Sequence, residues 1–203
     1  MSETLPAAET AAADPFRHFQ DWFAQAEATE QPNANAMTVA TATRDGVPSA
    51  RIVLLKDWDD RGFVFYTNKD SRKGNELAGN PRAALLFYWK TLGRQVRIDG
   101  TVHDVTDAEA DAYFATRARV SRLGAWASMQ SRPLASRALL EQRLADAEAQ
   151  YPGDEVPRPP YWSGYRVVPR RLEFWQDMPF RLHDRIVYTR GRGGVWSVGR
   201  IFP

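Results

Sequence analysis

Arg51 and Lys56 bracket four apolar residues, Ile52, Val53, Leu54 and Leu55, and a basic Ser71-Arg72-Lys73 step follows the apolar segment Phe63-Val64-Phe65-Tyr66-Thr67. The pattern predicts a buried strand with a cation at each end, a turn at Asp59-Asp60-Arg61-Gly62, a second strand, and a basic step opening a helix. That is the outline of an anion site. Side chains alternate along a strand, so Arg51 and Lys56 have opposite parity and are expected to address two anionic groups rather than one.

Two further sets have the same character. Tyr113, Arg117 and Ser121 fall at i, i+4 and i+8. On a continuous helix they line one face with donors suited to a phosphate; the plain alternative is a solvated arginine beside a half-buried tyrosine. In Arg181-Leu182-His183-Asp184-Arg185, a strand puts Arg181, His183 and Arg185 on one face, where an anion or a polar ring relieves their repulsion. An edge strand protected by charge explains the same pattern. Gln130-Ser131-Arg132 could offer donors to a phosphate at a helix N-terminus, or simply cap a helix. Gln95 and Trp175 read in isolation as a strand residue and a core aromatic. No pair of histidines and carboxylates has metal spacing, and there is neither a glycine-rich phosphate loop nor a Ser-His-Asp order.

The elements that must position these residues come from one chain of 203 residues, long enough for a single substantial core. One domain over 14–203 is expected after a disordered tail at residues 1–13, which has neither the basic start nor the apolar stretch of a targeting peptide. The 27 basic and 25 acidic residues leave a net charge of +2, so bulk charge makes no case for a nucleic-acid or membrane surface. Lys56, Lys69, Lys73 and Lys90 are the only lysines, which makes a lysine inside an apolar strand suggestive of a compact phosphate contact. The absence of cysteine removes disulfides, thiol catalysis and thiolate metal sites, and points to a cytoplasmic home. No apolar run reaches the length of a membrane span.

Asp14-Pro15 marks a helix start, with Phe16, Phe19, Trp22, Phe23 and Ala26 at helical spacing. Strands are expected over 36–43, 51–56, 63–67, 82–89, 95–105, 165–175, 181–189 and 195–201. Thr106-Asp107-Ala108-Glu109 forms a capping box that opens a helix toward Arg117, and helical patterns recur over 121–128 and 134–150. Residues 152–160 are a proline-rich surface connection. Strands in meander order with helices inserted between them predict a mainly β (α+β) fold, an antiparallel barrel with peripheral helices.

Taken together, Arg51-Ile-Val-Leu-Leu-Lys56, Phe65-Tyr66-Thr67-Asn68, Ser71-Arg72-Lys73, Arg94-Gln95-Val96, Gly124-Ala125-Trp126-Ala127-Ser128-Met129-Gln130-Ser131, Glu173-Phe174-Trp175-Gln176 and Arg181-Leu182-His183-Asp184-Arg185 resemble the pyridoxine (pyridoxamine) 5′-phosphate oxidase family. The resemblance runs in unbroken order from about Ala36 to Pro203. It implies an FMN-binding split β-barrel, active as a homodimer with flavins at the subunit interface. FMN would be held by Arg51, Ile52, Val53, Leu54, Leu55 and Lys56, by Tyr66, Thr67, Arg72 and Lys73, and by Gln95, Gln130, Ser131, Trp175 and Arg185, some of them from the partner subunit. Lys56, Tyr113, Arg117 and Ser121 would meet the substrate phosphate, with Arg181 and His183 as catalytic and substrate-binding residues at the pyridine ring. The implied reaction converts phosphorylated B6 vitamers to pyridoxal 5′-phosphate, with dioxygen as acceptor and hydrogen peroxide as product.

Two departures stand out. Some relatives carry an N-terminal Arg-x-x-Tyr lid, and residues 1–13 contain neither arginine nor tyrosine, so no lid of that kind is expected. Ala118 stands where relatives often have proline, which favours a continuous helix through Arg117. A related flavin oxidase acting on a reduced phenazine precursor would need the FMN residues but not the set Lys56, Tyr113, Arg117, Ser121. A non-catalytic flavin- or pyridoxal-phosphate-binding protein would have no use for Arg181-Leu182-His183.

Overall fold

The computed structural model describes residues 14–203, so the tail expected at residues 1–13 and any lid there lie outside the described residues. Helix α1 (Pro15–Thr29) starts at the marked position: the Asp14 carboxylate accepts from Phe16 N at 2.9 Å, and Pro15, with no amide to satisfy, occupies the first turn. Its buried face carries Phe19, Phe23 and Ala26. Phe19 meets Phe63 edge-on at 4.9 Å and Phe23 lies 4.9 Å from Trp58, which fastens the helix to the sheet.

Nine strands form one sheet: β1 (Ala36–Ala42), β2 (Pro48–Leu54), β3 (Asp57–Asp59), β4 (Gly62–Asn68), β5 (Arg82–Trp89), β6 (Arg94–Asp104), β7 (Trp162–Gln176), β8 (Asp184–Arg190) and β9 (Trp196–Arg200). Every pairing is antiparallel, in the order β2-β1-β5-β6-β7-β4-β3, with β8 joined to β7 and β9 to β8. β7 is the spine. β4 pairs with its residues 162–167 and β8 with 171–176, while β6 runs beside most of its length with a register shift at Asp99/Gly100. A strand that exchanges partners along its length forces the sheet to curl. The result is an antiparallel half-barrel around Leu85, Phe87, Ile98, Val167 and Leu172. Helices α2 (Arg72–Gly79), α3 (Asp107–Thr116), α4 (Arg119–Ala127) and α5 (Arg137–Gln150) lie around it, as the mainly β class with peripheral helices requires. Among the described residues no helix is long and apolar enough to cross a membrane.

Five local expectations are corrected. The strand carrying Arg51 is not buried: β2 pairs only with β1, so it is an edge, and Ile52 is 64% exposed. That strand also ends at Leu54, which leaves Lys56 off the ladder; the parity rule that separated Arg51 from Lys56 therefore does not apply. The helix through Tyr113 is not continuous to Ser121. It ends at Thr116, Arg117 is extended (φ −74, ψ 145), and α4 begins after Ala118. Arg181, His183 and Arg185 do not share a strand face, because Pro179–Arg181 is a 3-10 turn and β8 begins only at Asp184. Gln130-Ser131-Arg132 follows α4 and stops short of α5, whose first turn is capped by Ser136, so it marks no helix N-terminus.

The turn between β3 and β4 shows how tightly the sheet is drawn. Gly62 has φ +137, and a Cβ there would sit 2.2 Å from Val167 O on β7, so both backbone conformation and space demand glycine. Gly46, at φ +92, has open space instead. Gly62→Ala is expected to lower unfolding free energy by about 2–4 kcal/mol, and Gly46→Ala by only about 1 kcal/mol from backbone strain. Equal urea midpoints for the two variants would show that the close approach of β4 to β7 does not matter.

Candidate active site

A cavity of about 1070 Å³ opens beside β2, and Arg51, Lys56, Arg72, Lys73 and Arg117 line it with no acidic side chain among its walls. Its cationic floor is built on α2. Ser71 caps that helix, and Glu76 sits one turn after Arg72, whose Nε donates to Glu76 Oε1 at 2.9 Å. Glu76 Oε2 accepts from Thr41 Oγ1 at 2.5 Å and from Ser49 Oγ at 2.6 Å, and Arg51 Nη2 lies 3.4 Å away. Burial alone would raise this carboxyl. The hydrogen bonds from Ser49, Thr41 and Arg72, with the charge of Arg51, outweigh it and hold the group at about 2. Glu76 therefore stays ionised and aims two guanidiniums from behind the cavity.

Lys73 is buried with only neutral partners. Its Nζ donates to Thr67 Oγ1 at 2.9 Å, Ser71 Oγ at 3.2 Å and Gln130 Oε1 at 3.1 Å. Burial pushes it down to about 8, and Arg51 adds to the shift. Thr67 Oγ1 also donates to Gln130 Oε1 at 3.1 Å, which brings the 130–131 loop to this end; Ser131, at φ 70, lines the cavity beside it. Two arginines and a lysine against one carboxylate leave an excess of positive charge suited to a doubly charged phosphate.

The opposite end of the cavity is aromatic and cationic. The rings of Tyr66, Tyr113 and Trp162 lie parallel, Tyr66 at 4.1 Å from Tyr113 and 5.5 Å from Trp162. The Arg117 guanidinium stands 4.8 Å over Trp162, and Lys56 Nζ 5.9 Å from the Tyr113 ring. Arg117 Nη1 is buried without a hydrogen-bond partner, and burial lowers its affinity for the proton. A buried unsatisfied donor on a cation is costly, which marks a place built to receive an acceptor. The broken helix serves this end: extended backbone at Arg117 turns the chain so that Tyr113 on α3, Arg117 at the joint and Ser121 on α4 all line one cavity.

The structure thus gathers Arg51, Ile52, Val53, Leu54, Lys56, Tyr66, Thr67, Arg72, Lys73, Tyr113, Arg117, Ser121, Gln130 and Ser131 at one cavity. Leu55 is not among them. It is 2% exposed in the core, and its N–H and C=O are taken by Asn35. Gln95, Trp175, Arg181, His183 and Arg185 form a second group at the other end of β7. Gln95, Trp175 and Arg185 are cross-strand partners in a row over β6, β7 and β8, so they share one face. Arg185 donates to Glu173 Oε1 at 2.9 and 2.6 Å and to Phe202 O at 2.9 Å. Glu173 is 2% exposed; burial raises its carboxyl, but Arg185 and Arg171 outweigh that and hold it below the usual carboxylate range. His183 lies 4.6 Å from the Trp175 ring and accepts from Met178 N at 3.2 Å. Phe180 and Arg181 are consecutive left-handed residues, φ 61 and 64, an arrangement that costs roughly 1–3 kcal/mol per residue and concentrates at functional sites.

Several residues of this architecture escape sequence reasoning. Glu76 had a signal, its i+4 spacing from Arg72, and Thr41 faces Ser49 across the β1–β2 hairpin, whereas Trp162 meets Tyr66 only through the pairing of β7 with the distant strand β4.

Two family models match the chain: that described as pyridoxamine 5′-phosphate oxidase over residues 24–151, and that described as the pyridoxine 5′-phosphate oxidase C-terminal dimerisation region over 162–203. A pyridoxine/pyridoxamine 5′-phosphate oxidase from Azorhizobium caulinodans is 57% identical over 96% of this chain and 92% of its own length. Another of that name from Caulobacter vibrioides is 56% identical over 100% of this chain and 91% of its own. Among solved structures, PhzG from Burkholderia lata 383 in complex with tetrahydrophenazine-1-carboxylic acid superposes with a TM-score of 0.90 at 33% identity, covering 100% of this chain and 99% of that one. An FMN-binding protein from Nostoc punctiforme, 17% identical over 94% of this chain and 98% of its own, shares the fold with a TM-score of 0.75. Matched in chain order over both models, and more than half identical to relatives across nearly its whole length, the chain belongs to the pyridoxine/pyridoxamine 5′-phosphate oxidase family of oxidoreductases.

Proposed function

We propose that this protein oxidises pyridoxine 5′-phosphate and pyridoxamine 5′-phosphate to pyridoxal 5′-phosphate, with FMN as cofactor, dioxygen as acceptor and hydrogen peroxide as product. The observation that carries this reading is a single cavity with two separate cationic ends and no acidic wall. The end made by Arg51, Arg72, Lys73, Thr67, Gln130 and Ser131 suits the FMN phosphate, since a buried lysine with neutral partners beside two arginines is a donor set waiting for a dianion. The end made by Lys56, Tyr113, Arg117 and Ser121 suits the phosphate of the vitamer, and the orphaned Arg117 Nη1 supports an acceptor there. FMN supplies the two-electron acceptor for the carbon bearing the substrate's alcohol or amine, and its reoxidation by dioxygen yields the peroxide.

The protein's share is placement and charge. The parallel rings of Tyr66, Tyr113 and Trp162 give the substrate end a flat wall, and the phosphate grip holds the reacting carbon in register. Gln95, Trp175, Arg181, His183 and Arg185 complete the site from a second copy of the chain. Trp162 borders the cavity, whereas Trp175 lies roughly 40 Å farther along the contour of β7 at about 3.3 Å per residue. One chain thus carries the two halves at opposite ends of one strand, and a two-fold pairing of two copies juxtaposes them twice. The matched dimerisation region, 162–203, contains Trp175, Arg181, His183 and Arg185. The phenazine oxidase alternative leaves the Lys56–Arg117 end without a phosphate, and the relatives above 50% identity bear the vitamer oxidase name.

An aerobic assay of the FMN-loaded protein with either vitamer is expected to give pyridoxal 5′-phosphate and peroxide in equal amounts. Flavin retention without either product would overturn the assignment. Arg181→Ala is expected to lower kcat by at least about 100-fold with FMN still bound, as befits a charge placed at the reacting ring; near-normal turnover would refute its role. Lys56→Ala should raise KM for the phosphorylated substrate roughly tenfold with kcat little changed. An unchanged KM would remove Lys56 from the phosphate grip.

Lys73 adds a pH dependence. Its ammonium in the flavin-free protein titrates at about 8, so it is charged below that pH and neutral above it. FMN affinity is expected to fall as pH rises through 8 toward 10, and Lys73→Met to weaken binding at pH 7 and flatten the profile. Fluorescence titration of FMN across this range checks both, and an identical slope in the variant would assign the dependence to another group.

A further inference from the structure

The proline-rich connection between α5 and β7 carries Arg158, and its guanidinium makes three contacts to two different walls of the cavity's substrate end. Nε donates to Asp111 Oδ1 at 2.5 Å, Nη2 to Asp107 Oδ1 at 2.9 Å, and Nη1 to the main-chain oxygen of Trp162 at 2.8 Å. Asp107 and Asp111 are one turn apart on α3, the helix that carries Tyr113 and delivers Arg117; Trp162 is the first residue of β7 and the ring beneath Arg117. We propose that Arg158 is a positioning residue, a three-pronged brace that fixes the spacing between α3 and the start of β7 and thereby the phosphate grip of Tyr113, Arg117 and Trp162. This inference rests on the substrate phosphate assigned above.

The burial pattern separates this role from ordinary stabilisation. The Arg158 side chain is only 13% exposed, but Asp107 and Asp111 are 88% and 62% exposed. Removing Arg158 leaves both carboxylates solvated, with no buried charge stranded, so the cost to folding is small. Arg166 differs. It is buried, it pairs with Asp59 at 2.7 Å and Glu109 at 3.0 Å, and it secures the capped start of α3, so its loss would disturb the fold itself. At Arg158 geometry is what changes: without the fork, nothing else seen at that side chain's three acceptors links Asp107 and Asp111 to the Trp162 main chain. A planar fork is also needed to reach acceptors on a helix and a strand at once, which a lysine ammonium cannot span.

The test uses the FMN-loaded full chain and two variants, Arg158→Met and the double substitution Asp107→Ala with Asp111→Ala. Each is expected to raise KM for pyridoxine 5′-phosphate and to weaken pyridoxal 5′-phosphate binding, followed by its absorbance, by the same factor of about tenfold. Both should leave kcat within about twofold, because the group at the reacting ring is untouched. FMN affinity, read at the other end of the cavity, should not move. Wild-type affinity in both variants would overturn the brace, and so would a joint loss of kcat, FMN affinity and thermal midpoint, which marks a merely structural residue. If the unaltered protein itself binds no phosphorylated vitamer, the functional reading falls first and the brace with it. If the unaltered protein binds and Arg158→Met binds equally well, only the brace falls.

Discussion

An excess of positive charge in a cavity with no acidic wall is the constraint on which the rest of this structure depends. Arg51, Lys56, Arg72, Lys73 and Arg117 face shared space, and like charges brought together without an anion repel. The protein manages this by placing its carboxylates behind the cations. Glu76, ionised down to about pH 2, holds Arg51 and Arg72 from the far side of β2 and α2. Glu173 holds Arg171 and Arg185 in the same manner at the other half-site. Such buried pairs contribute little net stability once desolvation is counted. What they provide is direction: a guanidinium whose back is hydrogen-bonded to a fixed acid presents its remaining donors along one line.

The sheet converts that local order into long-range placement. β7 begins at Trp162 in the wall of the cavity and runs to Trp175 and Gln176 in the second group, so one rigid strand sets where both halves lie. Its partners change along the way, β4 first and β8 last, with β6 bridging the exchange. The ladder resumes on either side of the register shift at Asp99/Gly100, where Arg170 is passed over in the pairing and the strand bends. Helix α1 packs Phe19 and Phe23 into the core, and the edge strand β2 is left free beside the cavity. An edge strand is ordinarily a hazard for association. Here it is where cofactor and partner are expected to sit, so exposure of Ile52 belongs to the design.

Much of this was legible in the residue order. The caps at Asp14 and Thr106, the helical spacing of Phe19, Phe23 and Ala26, the strand pattern of 82–89 and the basic step at Arg72-Lys73 are local signals, and local structure obeyed them. The errors have one physical source. Parity between Arg51 and Lys56 assumed one strand, but pairing with β1 ends at Leu54, and strand ends are set by the neighbour rather than by the sequence of the strand itself. Leu55, which the resemblance groups with Arg51–Lys56, packs its side chain in the core with its main chain bonded to Asn35. Trp162 and Arg158 gave no local signal, because Trp162 meets Tyr66 and Arg117 across the fold and Arg158 reaches back to Asp107 and Asp111.

The irregularities fall where regular structure would have defeated the site. A helix continuous from Asp107 to Ala127 would carry Arg117 in a helical turn, with its side chain projecting over the turn before it; extended backbone at Arg117 and Ala118 instead re-aims the chain so that donors from two helices converge. Likewise a strand through 181–185 would continue the β8 ladder, whereas the left-handed pair Phe180-Arg181 turns the chain and leaves Arg181 exposed two residues before His183, whose ring meets Trp175. Neither feature is favourable locally, since Phe180 has a side chain where glycine would sit without strain and Arg117 buries an unsatisfied donor. Local preference and native structure disagree at these two joints, and each joint carries a residue assigned to the substrate. Both joints set aside what the local chain would favour, and the proposed function gives each a use: an acceptor for Arg117 Nη1 and a reacting ring for Arg181.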